Sequence, residues 1–305
     1  MGIDDNFFEL SGDSIRGAIL INKLQAQLNE IIHFIVLFDT RTVAKLASYI
    51  EEHYPQTAAK LLGKEITAIS ELPQERIDEA KVLQMRSLIP SIAPPIDDDA
   101  IKNQPAIFIL SPHRSGSTLL RVILGGNPQL FAPPELELLT FNTLGERKAA
   151  FSGRYSFWME GTIRTIMQIR GCTPEEAIAL MEELEAKNIT TKQFYQLIQQ
   201  WLGDKILVDK TPSYSIDLET LKRAEINFQS PLYIHLVRHP YATMRSYEEA
   251  RVEQTFPYQH PFNRRELAEL VWLISHQNIL EFLQQVPQER QYQVKADCRS
   301  FANRA

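Results

Sequence analysis

Apolar residues recur at helical spacing in two stretches near the start of the chain, residues 15 to 28 and 42 to 53. In the second, Val43, Leu46, Ala47 and Ile50 follow the i, i+3, i+4, i+7 rule of an amphipathic helix. Between them Ile31 to Phe38 is apolar at every position but His33, which in so small a unit means burial against neighbouring helices. This pattern predicts a small all-helical domain over residues 1–55. From Tyr54 it loosens: Pro73, Pro90, Pro94, Pro95 and the acidic run Asp97 to Asp99 bracket one weak helical stretch near residues 75 to 88, as expected of a linker over 56–104. The period then changes. Ala106 to Leu110 reads as a buried strand, and Ile206 to Val208 and Leu232 to Val237 repeat that signal with helical segments between. Strands alternating with helices predict an α/β fold, a parallel sheet flanked by helices, over residues 105–305. There is no internal repeat and no low-complexity tract.

Length and composition support this division, because 305 residues at 44% apolar content suffice for two cores. The formal charge of -6 shows no basic excess of the kind a nucleic-acid partner needs, so any anion must be held by a local cluster and the partners are small molecules or proteins. The two cysteines, Cys172 and Cys298, are far apart and lack metal-ligand spacing, which points away from a disulfide framework or zinc site and toward a reducing compartment. No apolar run approaches a membrane span, and Met1 to Asp5 lacks the basic-then-apolar order of a signal peptide. The expected location is the cytoplasm, without a membrane partner.

The helical domain opens on Asp4-Asp5-Asn6-Phe7-Phe8-Glu9-Leu10-Ser11-Gly12-Asp13-Ser14-Ile15. Asp and Ser ahead of a helix are ordinary N-caps when taken alone. Together with Leu37-Phe38-Asp39 and the following Thr42 to Ala47, however, the segment resembles the modification site of acyl and peptidyl carrier proteins over residues 3 to 55. The resemblance implies phosphopantetheine on Ser14, where an exposed hydroxyl at a helix start sets the arm's phosphodiester near the positive end of the dipole. Carriers have a further helix before this motif, and Met1 falls almost on it. The expectation is a truncated carrier, inefficiently modified and with little stability to spare.

In the second domain the strand at 106–110 leads into Ser111-Pro112-His113-Arg114-Ser115-Gly116-Ser117-Thr118 and then a helix. Strand, anion loop and helix in this order suit a phosphate: Gly116 lets the backbone approach, hydroxyls and amides donate, and the helix start favours negative charge. The loop is P-loop-like but has neither the first glycine nor the lysine of a Walker A sequence; Arg114 supplies the charge. A second strand ends in Leu236-Val237-Arg238-His239-Pro240 and runs into a helix bearing Ser246. A nucleoside triphosphatase would place an acidic magnesium ligand there, whereas an arginine suits a phosphate monoester.

In this order the two elements resemble the 5′-phosphosulfate loop and the 3′-phosphate motif of sulfotransferases that use 3′-phosphoadenosine 5′-phosphosulfate (PAPS), over about residues 105 to 295. The resemblance implies that Arg114, Ser115, Gly116, Ser117 and Thr118 hold the 5′ side and Arg238 and Ser246 the 3′-phosphate. Pro133-Pro134-Glu135 falls where related enzymes place a glutamate base, and Val208-Asp209-Lys210-Thr211-Pro212 resembles their lysine-containing strand end. It further implies in-line displacement on sulfur without a metal, Glu135 as general base, Arg114 and Lys210 as stabilisers of the transferring group, and His276 as the reserve base. A carrier joined to a sulfotransferase resembles terminal modules of modular polyketide synthases. By that analogy the acceptor is the β-hydroxyl of a carrier-bound acyl chain, and the partners are neighbouring synthase modules and a thioesterase. After Tyr292 to Lys295 the sequence departs from the family's acidic continuation, with Ala296-Asp297-Cys298-Arg299-Ser300-Phe301, and the expectation is a C-terminally truncated enzyme. The alternatives left open are a P-loop kinase or nucleotide hydrolase and a non-catalytic binding fragment.

Overall fold

The computed structural model describes residues 2–10, 12–62, 76–96 and 101–296. Pro73, the acidic run Asp97 to Asp99 and the segment after Ala296, with Cys298, lie outside the described residues. The chain divides into two compact units, Met1–Asp78 with Glu248–Pro257, and Glu79–Tyr247 with Tyr258–Ala305.

In the first unit, helices α1 (Ser14–Leu28), α2 (Val36–Asp39), α3 (Val43–His53) and α4 (Pro55–Leu61) follow one another. Asp13 caps α1 by accepting from the Arg16 N–H at 2.8 Å, and Thr42 caps α3 by accepting from the Lys45 N–H at 3.2 Å. A Cβ on Gly17 would fall 2.6 Å from the Phe34 ring and 2.8 Å from Leu37, so α1 lies directly on the apolar 31–38 stretch. Ile21, Ile32, Ile35, Val36, Leu37 and Leu46 are buried there. His33, the polar exception in that stretch, donates its backbone N–H to Gln254 Oε1 at 2.7 Å, and its ring nitrogen lies 2.7 Å from the Ala250 carbonyl oxygen. Gln254 also donates to the Tyr54 hydroxyl at 2.6 Å, and the Arg251 guanidinium sits 4.0 Å over the Tyr54 ring. Ten residues from far along the sequence thus complete this small helical pack.

The second unit is built on five strands, β1 (Ile107–Leu110), β2 (Leu130–Phe131), β3 (Ile206–Asp209), β4 (Leu232–Arg238) and β5 (Gln291–Ala296). Their order is β2-β3-β1-β4-β5 and every pairing is parallel. Alternation along β1 separates two cores: Phe108 and Leu110 join the large one, while Ile109 joins a smaller one with Val208, Leu236 and the partly buried Leu120 and Leu124. The smaller core seats α6 (Ser117–Gly125). The larger core takes side chains from α8 (Glu160–Arg170), α9 (Pro174–Ala186), α10 (Thr191–Leu202), α11 (Leu218–Asn227) and α13 (Arg264–Leu283). Burial on both faces explains the unbroken apolar runs of the strands. Capping boxes start three of these helices: Thr173 with Glu176, Thr190 with Gln193, and Asn263 with Glu266. The unit also contains α5 (Glu79–Leu88) and α7 (Leu144–Ala150), and α12 (Pro240–Glu249) follows β4. No described helix is long and apolar enough to cross a membrane.

Candidate active site

The first anion loop leaves β1 at Ser111 and enters α6 through Gly116, whose φ of 89° suits glycine. Arg114 adopts a φ of 67° in the same turn. Among the described residues no side chain caps α6, which leaves its first amides available at the positive end of the helix. Ser111 and Ser115 are fully buried, and among the described residues neither hydroxyl has a protein partner. Buried hydroxyls without partners cost free energy unless a ligand or water pairs with them. The Ser115 hydroxyl beside an uncapped helix start fits the 5′ end of a nucleotide phosphosulfate.

β4 lies beside β1, with Leu110 opposite His235, so the end of β4 approaches the loop. There Arg238 donates to the Arg114 carbonyl oxygen at 2.7 Å, and the Arg114 Nε donates to the Ser246 hydroxyl of α12 at 3.1 Å. The sheet thereby brings Arg114 to Arg238 and Ser246, two predicted cofactor residues that lie more than a hundred positions further along the chain.

On the other side of β1, β3 ends at Asp209 and presents Lys210, which is 3% exposed. The Lys210 ammonium pairs with the Glu135 carboxylate and lies 3.5 Å from the Thr118 hydroxyl at the start of α6. Predicted base, predicted lysine and predicted loop therefore meet. Glu135 is placed by its backbone: a Cβ on Gly161 of α8 would fall 1.7 Å from the Glu135 carbonyl oxygen, so only glycine permits this approach.

Several residues at this site escaped the sequence reading. Glu137, at a φ of 51°, is buried; burial pushes its carboxyl up to about 8, although Ser213 donates to its two oxygens at 2.8 and 2.7 Å. Its carbonyl oxygen accepts from Nε of the fully buried Arg147 at 3.0 Å. Asp209 is buried under hydroxyls of Tyr195, Tyr214 and Thr211. His113 of the anion loop is held below its ordinary value by burial, an effect that the nearby Glu135 carboxylate opposes and Lys210 and Arg114 reinforce. The imidazole thus shares the field of the Glu135–Lys210 pair. A positive φ at a glutamate leaves no mark in the sequence; an aspartate directly before the lysine at a strand end does.

His276, on α13, goes elsewhere. Its Nδ1 lies 3.0 Å from Nε2 of His235 on β4, sharing one proton, and burial first, then the neighbouring His235, pulls it down to about 4. Its hydrogen bond is to His235 rather than to Glu135 or Lys210. In the first unit, Ser14 is the first residue of α1, directly after the capping Asp13.

Comparison with known proteins agrees with this geometry. Residues 105–295 match the sulfotransferase family, and residues 1–50 match the phosphopantetheine attachment site. Among solved structures, the sulfotransferase domain from the curacin biosynthetic pathway shares 40% identity at a TM-score of 0.61, covering 64% of this chain and 68% of that one. The sulfotransferase domain from the Synechococcus PCC 7002 olefin synthase shares 38% identity at a TM-score of 0.61, covering 67% and 70%. Surfactin synthase subunit 2 of Bacillus subtilis (strain 168) is 47% identical over 51 residues, 17% of this chain, and the chain spans 1% of that protein's length.

Proposed function

The chain belongs to the sulfotransferase family, and from that premise we propose that it transfers a sulfuryl group from PAPS to the β-hydroxyl of a carrier-bound polyketide acyl chain. PAPS when bound supplies the electrophilic sulfur and a bisphosphate leaving group. Glu135 takes the proton of the acceptor hydroxyl, whose oxygen forms the new bond to sulfur as the bond to the phosphate oxygen breaks. Lys210 and Arg114 offset the charge that collects on that departing oxygen. Arg238 and Ser246 hold the 3′-phosphate, and the loop from Ser115 to Thr118 holds the 5′ side.

The observation that supports this reading most directly is the buried Lys210 lying between the Glu135 carboxylate and the Thr118 hydroxyl, so that one cation serves base and anion loop. The likeness to two domains, one of a curacin pathway and one of an olefin synthase, together with the carrier match over residues 1–50, supports this choice of acceptor class. On the same reading Ser14 bears phosphopantetheine, and the partners are synthase modules and a thioesterase.

Calorimetric titration with adenosine 3′,5′-bisphosphate, in parallel with ATP and magnesium, tests the donor site. Selective bisphosphate binding that Arg238→Ala weakens by about ten- to a hundredfold is the expected result, and ATP preference would replace this reading with a kinase. Turnover of a β-hydroxyacyl pantetheine thioester with PAPS tests the acceptor. Intact-mass analysis after incubation with a phosphopantetheinyl transferase tests Ser14.

A further inference from the structure

Asp209 ends β3, and its side chain takes partners different from those of Lys210, which follows the strand. It is 1% exposed, and three hydroxyls converge on it: Thr211 donates to Oδ1 at 2.7 Å, and Tyr195 of α10 and Tyr214 reach Oδ2 at 2.5 and 3.3 Å. The far side of this cluster touches the Glu135 loop. The Leu136 amide donates to Thr211 Oγ1 at 3.2 Å, and the Leu138 and Leu139 amides donate to the Tyr214 hydroxyl at 2.8 and 3.3 Å.

A hydroxyl has one proton to give. Because amides occupy the lone pairs of Thr211 and Tyr214, those protons point onward to Asp209, directly from Thr211 and, from Tyr214, either directly at 3.3 Å or through the Tyr195 hydroxyl, also at 3.3 Å. Each bond runs in one direction, from the backbone amides of residues 136, 138 and 139 through one or two hydroxyls to a single carboxylate. Loss of the acceptor therefore disturbs the loop on which Glu135 sits, while the phosphate loop keeps its own contacts.

We propose that Asp209 is a positioning residue which, through Thr211 and Tyr214, holds the Glu135 loop at the distance from Lys210 that proton removal requires. The proposal rests on the assignment of Glu135 as base. An asparagine at 209 keeps the shape but turns two N–H donors toward groups that are already donors.

The test is a double-mutant cycle on the full chain, with kcat, KM and bisphosphate affinity measured for Asp209→Asn, Glu135→Gln and the pair. Asp209→Asn is expected to lower kcat by about ten- to a hundredfold, the scale of an ångström-level misplacement, with bisphosphate affinity changed less than about twofold. In the Glu135→Gln background it is expected to cost nothing further, because residues acting as one unit are not additive. Wild-type turnover in Asp209→Asn, full additivity in the pair, or a parallel loss of bisphosphate affinity each overturns the positioning role. Normal turnover in Glu135→Gln removes the base assignment and this proposal with it. If Asp209→Asn does not fold, Tyr214→Phe takes its place in the cycle; it frees two amides and leaves the Tyr195–Asp209 bond, and the same non-additivity is required of it.

Discussion

The anion loop and the Glu135 loop solve opposite problems within one site. Between Ser111 and Thr118, two buried hydroxyls have no protein partner among the described residues, and no described side chain caps the helix start. Between Leu136 and Leu139, by contrast, three amides are each paired to a hydroxyl, and Glu137 is paired to Ser213. On the proposed function, the surface that accepts a large anion keeps donors in reserve, whereas the segment that holds the proposed base in place uses them on itself. Variants in the first region should move affinity, and variants in the second should move turnover or stability.

The largest expected effect separates the two regions most sharply. Glu135→Gln should lower kcat by at least about a hundredfold with little change in bisphosphate affinity, measured by steady-state kinetics and calorimetry. Near-normal turnover would direct attention to His113, which shares the field of the pair, or to His276. Arg238→Ala should show the reverse, weakening bisphosphate binding by about ten- to a hundredfold while turnover at saturating PAPS changes little. If both variants move both quantities, the two regions are one cooperative unit and the contrast fails.

Gly161→Ala tests how rigidly the Glu135 loop is held. The added methyl meets the Glu135 carbonyl, so a cost of about 1–3 kcal/mol in chemical unfolding is expected, together with lower turnover. The smallest effect concerns Glu137. Its folded value near 8 lies above the ordinary 4.5, so its contribution to stability is fully present below about 4.5 and is lost as pH rises through about 8. Thermal unfolding between about pH 7 and 9 should therefore fall more steeply with pH in the wild type than in Glu137→Gln. Parallel slopes would mean that the carboxyl ionises without cost where it sits.

Residues that are contiguous were legible in advance. The strand at 106–110, the loop to Thr118 and the helix after it lie in one run of chain, as do the Arg238 strand and the Ser246 helix, and Arg114 meets Arg238 and Ser246 where the two runs come together. Glu135 and Lys210 were reachable only through short motifs, since nothing local relates residue 135 to residue 210. The helices from Leu144 to Leu202 supply Gly161 and Tyr195 to this region, and neither residue bears a mark of that use in the sequence.

Periodicity by itself determined the alternation of strands with helices, the parallel sheet and the helical character of the first fifty residues, because burial on one face or two is written directly in apolar spacing. Local motif order marked the two proposed phosphate loops, because an anion site at a helix start is made by adjacent residues. Only the tertiary structure decided that residues 248–257 complete the helical unit, that His276 pairs with His235, and that Asp209 gathers the hydroxyls behind the Glu135 loop. Those outcomes depend on which buried polar group finds which distant partner, a matter of three-dimensional hydrogen-bond satisfaction that spacing along the chain does not encode.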